Sequence, residues 1–339
     1  MTRVGALAAA LGSALLLSIT TTASAGTFAT TDPDDSPEGV VTIGDTVFVS
    51  TTPLLPEIAL GSGTPSEIYR FDRTGRLLGR IVVQGERLLG GVQGIAGLTS
   101  DPQGRLLAND AQGRVLRFTE RRDGTFAQET YATVADLRPC AVAPMPCSAH
   151  PADLEPLVNE VARLRDGTLL LSDSFQAAVW RVPPGGGAAQ LLVTDARLVG
   201  TAFGPNGIAA SPNGKEAVLA VSSDPDGEGV LYRFALDRPV LAELARLGSD
   251  QFPDGLQWLG PDRLYVTMSS ANAVALFDAD DGEEQARFTD PSLAAPAGID
   301  VDERLGQALV ANHDVEQLPG TRTGGVVSVV AVPRRGDLP

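Results

Sequence analysis

Gly204-Pro205-Asn206-Gly207-Ile208-Ala209-Ala210-Ser211-Pro212-Asn213-Gly214-Lys215-Glu216-Ala217-Val218-Leu219-Ala220-Val221 reads as a turn, a short apolar strand, a tight turn and a second strand. Its apolar runs are punctuated twice by Pro-Asn-Gly. The second Pro-Asn-Gly lies between the runs, where Asn213 and Gly214 suit the positive φ of a hairpin turn. The first precedes a strand, where no hairpin is required. Asn206 is therefore either another turn residue or a side chain aimed at a ligand.

Repetition separates these alternatives. Pro253-Asp254-Gly255-Leu256 followed by Asp262-Arg263-Leu264-Tyr265-Val266 repeats the template. So do Val158-Asn159-Glu160-Val161 before Asp166-Gly167-Thr168-Leu169, and Pro37-Glu38-Gly39-Val40 before Gly44-Asp45-Thr46-Val47. Gln93-Gly94-Ile95-Ala96 and Ala297-Gly298-Ile299-Asp300 are apolar versions. Aligned on Glu38, Gly94, Asn159, Asn206, Asp254 and Gly298, the copies recur roughly every 50 residues, the period of propeller blades. Each copy also carries a later strand with an alternating pattern, as in Ile68-Tyr69-Arg70-Phe71, Leu116-Arg117-Phe118, Trp180-Arg181-Val182 and Tyr232-Arg233-Phe234. That alternation predicts apolar positions between blades and solvated arginines. No helical period of useful length occurs, so the expected fold is all-β, a six-bladed β-propeller.

Composition narrows the class. The chain has 339 residues, 43% hydrophobic and 20% charged, with a net charge of −16. That is ample for a core, and it argues against nucleic acid or anionic membranes as partners. Arg3, the apolar run Val4 to Ile19 and Ala23-Ser24-Ala25 form a secretory signal with an A-x-A cleavage site. Residues 1–25 are accordingly expected to be removed. The remaining 26–339 are expected to form one propeller domain, secreted (extracellular or periplasmic), monomeric and without a membrane anchor. Thr27-Phe28-Ala29 is either a strand that closes the ring or a disordered leader.

One insertion breaks the repeat, at residues 137–155. It holds the only two cysteines, Cys140 and Cys147, which in an exported chain default to a disulfide. Closing so short a ring stabilises by about 2–3 kcal/mol and stiffens a Pro-rich loop. The insertion immediately precedes Asn159, so it is expected to overhang the same face of the propeller.

Matching points of successive blades converge at the central channel. Glu38, Asn159, Asn206 and Asp254 would bring two carboxylates and two amide oxygens there. An all-oxygen set suits Ca²⁺, with waters completing six or seven ligands, and the lack of His or Cys counts against zinc. Asp278-Ala279-Asp280-Asp281-Gly282 mimics a calcium loop but lacks its remaining ligand spacing, and reads better as a blade turn.

Pro37-Glu38-Gly39, Asn159, Pro205 to Lys215, Asp254-Gly255 and Leu309-Val310-Ala311-Asn312-His313 together resemble the senescence marker protein (regucalcin) and gluconolactonase family, relatives of paraoxonase and diisopropyl fluorophosphatase. The likeness spans Glu38 to Val332. It implies that Glu38, Asn206 and Asp254 hold a divalent metal, most simply Ca²⁺, and that Asn159 lies beside it or binds substrate. It also implies metal-assisted hydrolysis of a small lactone or related ester. The cation would polarise the substrate carbonyl, while a bound water or Asp254 supplies the attack. Asp254 is thus a ligand, a base or a nucleophile. His150 and His313, the only histidines, are either proton shuttles and substrate contacts at the channel mouth or surface and structural residues. The chain departs from the family at Asn159-Glu160, where Asn-Asp is usual, and at the nearly apolar Gln93-Gly94-Ile95-Ala96. With 5% aromatic residues it also offers few stacking platforms for a sugar ring. A non-catalytic binding propeller with a structural calcium and a metal-free strictosidine-synthase-like enzyme remain as alternatives. No G-x-S-x-G elbow supports a serine hydrolase.

Overall fold

The computed structural model describes residues 26–32, 35–53, 64–88, 93–302, 304–313 and 325–333. The expected signal segment, residues 1–25, lies outside them. The chain forms six small antiparallel sheets, the blades of a six-bladed β-propeller. Their innermost strands are Asp35–Ile43, Ile95–Ser100, Val158–Arg163, Pro205–Ala210, Pro253–Leu259 and Pro296–Asp302. Each blade then runs outward by hairpins, as in Pro205–Ala210, Glu216–Val221, Gly229–Ala235 and Ala242–Gly248. The strand Gly26–Thr30 pairs antiparallel with Val326–Ala331, so it is the outermost strand of blade six and closes the ring. The only helix among the described residues is one 3₁₀ turn, Ala196–Leu198.

Alternation along each strand sends apolar side chains to both faces of a blade, where they meet the neighbouring blades. Val218, Ala220 and Leu231 of blade four, for example, pack against Leu264, Val266, Ala275 and Phe277 of blade five. Six such interfaces make up the core.

One irregularity repeats around the ring and positions everything that follows. In each blade the register between the inner and second strands slips at the same point: Pro37/Val40, Ile95/Leu98, Val158/Val161, Pro205/Ile208, Pro253/Leu256 and Pro296/Ile299. Two residues bulge out of the ladder there: Glu38-Gly39, Ala96-Gly97, Asn159-Glu160, Asn206-Gly207, Asp254-Gly255 and Ala297-Gly298. The sequence alignment is corrected in two blades. Ala96, not Gly94, stands level with Glu38, and Ala297, not Gly298, stands level with Asp254. The glycine that defines the register follows the exposed position. A Cβ on Gly39, Gly207, Gly255 or Gly298 would overlap a backbone carbonyl of the next blade, so the inner strands approach too closely for any side chain. Gly94 instead serves a left-handed turn at φ +144°.

Side chains of the second strands tie four of the six blades to the next beside this bulge. Ser50 Oγ donates to the Ala96 carbonyl (2.6 Å), Asn109 Nδ2 to the Asn159 carbonyl (3.1 Å) and Thr267 Oγ1 to the Ala297 carbonyl (2.6 Å). Ser172 Oγ does the same for the Asn206 carbonyl. The arginines of the third strands are not simply solvated. Arg181 donates to the Leu236 carbonyl of blade four (2.7 Å) and Arg233 to the Ala279 carbonyl of blade five (2.8 Å). Arg70 lies over the Phe126 ring at 4.7 Å. The long stems reach across the gap between blades, which alternation alone does not reveal.

Candidate metal centre

The bulge turns the side chains of Glu38, Asn159, Asn206 and Asp254 out of their ladders at one end of the channel. Asn206 donates from Nδ2 to Ser222 Oγ (2.8 Å), and its buried Oδ1 has no hydrogen-bond donor. Asp254 Oδ2 lies 3.4 Å from Ser269 Oγ, whose proton goes to the Pro296 carbonyl at 2.7 Å. Asn159 donates to Ser174 Oγ (3.2 Å), whose own proton goes to the Pro205 carbonyl (2.6 Å). Glu38 Oε2 is buried, again without a hydrogen-bond donor. His313 Nε2 stands 3.3 Å from it and 2.9 Å from Thr52 Oγ1. The main chain of His313 is pinned by Ala295, which accepts its N–H at 2.9 Å, and by Ser36 Oγ, which donates to its carbonyl.

A third carboxylate joins this group. Glu160 occupies the bulge position that is glycine in the other five blades, and its Oε1 accepts the Val161 N–H at 2.7 Å. Its carboxyl presses against Gly97, which has no Cβ to block it. Glu160 also lines a cavity of about 310 Å³ with Leu98, Trp258 and Asp300. Glu38, Glu160 and Asp254 sit on alternate blades one, three and five and influence one another electrostatically. Burial raises the Glu38 carboxyl to about 7 and the Glu160 carboxyl to about 8. It raises Asp254 well above the carboxylate range, with the charge of Glu38 adding to the effect and the Asn206 amide opposing it.

The donor set fits a hard dication. Two buried acceptors without donors, on blades one and four, carry a desolvation cost that a bound cation relieves. Among the described residues no three His, Cys, Asp or Glu side chains close on a common point as ligands. A cation here would therefore draw on two carboxylates together with amide oxygens, which is an oxygen site of calcium type.

The other expected residues fall as follows. The His150 ring is engaged with its own turn, accepting the Ala152 N–H at 3.1 Å, and its hydrogen bonds do not reach the four inner residues. Cys140 and Cys147 are bonded, with sulfurs 2.01 Å apart. Their loop is held to blade three where Gln176 accepts the Leu137 N–H and the Gln176 carbonyl accepts Ser148 Oγ (2.9 Å). That anchorage places it beside Ser174, at the Asn159 end of the blade. Asp278 to Gly282 is a blade turn closed by the Asp278 carboxylate. The sequence reading does not single out Glu160 as a member of the group, although a carboxylate where the repeats otherwise carry glycine is a visible signal. Phe175, Phe203 and Phe252, which meet one another and neighbour Ser174, Asn206 and Asp254 in the chain, leave no such trace.

No protein-family model matches the sequence, and no curated protein is significantly similar to it. Solved structures do share its fold. A gluconolactonase from Xanthomonas campestris is 19% identical, with 89% of this chain and 88% of that one aligned at a TM-score of 0.54. A virginiamycin B lyase from Staphylococcus aureus is 14% identical over 91% of this chain and 99% of its own, at a TM-score of 0.51. The PQQ-bound aldose sugar dehydrogenase from Streptomyces coelicolor is 13% identical over 90% and 96%, at 0.57. At these identities the likeness defines the fold, and the differing chemistries of the three show that the fold does not choose among them.

Proposed function

We propose that the protein is a secreted, metal-dependent hydrolase of lactones or related esters, in which Glu38, Asn206 and Asp254 hold a calcium ion and Asn159 lies beside it. One observation carries the reading: Glu38 Oε2 and Asn206 Oδ1 are both buried without a hydrogen-bond donor, at equivalent bulges of two blades. When bound, a dication polarises an ester carbonyl and stabilises the oxyanion that forms on attack. The chain's own residues do the rest. Ser222 and Ser269 orient the Asn206 and Asp254 side chains, and Ser174 orients Asn159. Thr52 holds the His313 imidazole against Glu38, where it can take a proton from an attacking water and return it to the leaving alkoxide. The shared fold with a gluconolactonase supports this reading by analogy only.

The test is calcium titration by calorimetry together with hydrolysis of a panel of lactones, aryl esters and phosphotriesters, with and without chelator. Stoichiometric calcium binding and chelator-sensitive lactone or ester hydrolysis, both lost in Asp254→Ala, are expected. Hydrolysis that is indifferent to chelator, or the absence of both binding and turnover, refutes the proposal.

A further inference from the structure

The chain has 11 phenylalanines. Phe28, Phe48, Phe71, Phe118, Phe126, Phe234, Phe277 and Phe288 all lie in or against the inter-blade cores. Phe175, Phe203 and Phe252 belong to none of those cores and are gathered with one another instead. The rings of Phe175 and Phe203 stack with centroids 6.0 Å apart, and Phe252 meets Phe203 edge-on at 6.3 Å. All three are half-buried, so ring surface remains open to solvent.

Their place in the chain ties them to the candidate site. Phe175 follows Ser174, the partner of Asn159. Phe203 lies three residues before Asn206, and Phe252 two before Asp254. The wall is thus built by the three blades that supply Asn159, Asn206 and Asp254. On two of the remaining blades, Ala96 and Ala297 put only methyl groups at the equivalent inner positions.

Phe252 is held at a cost. Its φ of +47° is left-handed, a conformation disfavoured for a bulky side chain and again for a residue before proline, here Pro253. Ala295, before Pro296 in blade six, adopts the same conformation at +49°, so the strain belongs to the turn while the ring on it does not. The polar side chains around the wall are engaged with protein. Gln176 donates to Asp173 (2.8 Å) and to the Ala135 carbonyl (3.1 Å), and Thr201 pairs with Ser223. Ser222 and Ser269 donate to the Pro253 and Pro296 carbonyls at 2.9 and 2.7 Å. Such a surface offers a polyhydroxylated ring few hydrogen bonds and offers an alkyl or aryl group a wall to lie on.

Resting on the hydrolase reading, we infer that Phe175, Phe203 and Phe252 bind the apolar portion of the substrate, which is therefore an alkyl- or aryl-bearing lactone or ester and not a sugar lactone.

Binding can be read without turnover by using ketones that mimic the lactone ring. The calcium-loaded full chain is titrated by calorimetry with 2-pentylcyclopentanone, cyclopentanone and D-glucono-δ-lactam. Half-burial of the pentyl chain predicts binding about 30-fold tighter than for the bare ring. Phe175→Ala and Phe203→Ala should each reduce that preference about five-fold while leaving cyclopentanone unchanged. Phe252→Gly removes a ring and relieves the turn, so it should lose preference at an unchanged or higher melting temperature. Equal binding of the two ketones, tightest binding of the lactam, or no detectable binding of the pentyl ketone overturns the inference. So does a Phe252→Gly protein that melts lower but keeps the preference, since the rings would then be structural. A protein that binds the pentyl ketone selectively yet neither binds calcium nor turns over any ester would sink the hydrolase proposal and leave the apolar wall standing.

Discussion

If calcium fills the proposed site, its removal destabilises the protein more as the pH rises. Glu38 and Glu160 start from 4.5 and are raised to about 7 and about 8 by burial. A carboxyl whose folded pKa lies above its unfolded value adds no penalty below pH 4.5. Its contribution to stability is lost as pH climbs through the folded value and stays level above it. Each tenfold change in proton affinity corresponds to about 1.4 kcal/mol, and both groups together, discounted for water in the channel, amount to about 3–6 kcal/mol. A bound dication favours the ionised forms and cancels the loss. The melting temperature with chelator should therefore fall by about 5–12 °C between pH 5 and pH 9, while the calcium-loaded protein stays nearly level. The increment on adding calcium should be small at pH 5 and largest at pH 8–9. Calorimetric titrations near pH 6.5, in buffers of different ionisation enthalpy, should show proton release on calcium binding. Glu160→Gln keeps the acceptor for the Val161 N–H and should remove part of the pH slope. A chelated protein whose melting temperature is flat from pH 5 to 9, or a calcium increment that does not grow with pH, would mean that these carboxyls are not protonated by burial in the metal-free channel.

Three further outcomes are expected. Asp254→Ala should weaken calcium binding at least 100-fold and abolish hydrolysis with the circular dichroism unchanged, whereas Asn213→Ala loses only turn bonds to Lys215 (2.8 Å) and Ser211 (2.9 Å) and should cost about 1 kcal/mol without touching either. Gly207→Ala should lower stability by about 2–3 kcal/mol or more in denaturant titration, because the added methyl overlaps the Asp254 carbonyl, and a neutral result would mean that the inner strands are less closely packed than described. Denatured, unreduced protein should show no titratable thiol, and Cys140→Ser should cost about 2–3 kcal/mol of stability with calcium affinity retained.

The fold is legible in the sequence because the hairpin template is repeated around the ring. Pro, Asn, Asp and Gly mark the same turns in blades one, four and five, and six copies leave few alternatives. Register is harder to read in blades two and six, where Ala96 and Ala297 carry no polar group to align on. Gly94 then offers a glycine three residues too early, and only the packing of Gly97 on Glu160 shows which glycine holds the bulge. Glu38, Asn159, Asn206 and Asp254 stand out because they share one register position. The phenylalanine wall is invisible, since its rings come from one turn after a second strand and two before inner strands, at no common point of the repeat. Whether an arginine is solvated or bonded across a blade gap likewise depends on the neighbouring blade, which alternation within a strand does not report.

The pairing of Gly26–Thr30 with Val326–Ala331 has a consequence for how the molecule is made. The earliest of the described strands finds its partner only in the last of them, about 300 residues later. At about 5–20 residues per second that is a wait of roughly 15–60 seconds, during which five blades can zip locally but the ring cannot shut. Throughout that interval Phe28 and Ala29 have no sheet to join, and the third strand of the sixth blade is missing. Closure is then one long-range step of high contact order, slow compared with any hairpin. A fragment ending before Val326 should consequently expose its unpaired sheet edges to other chains.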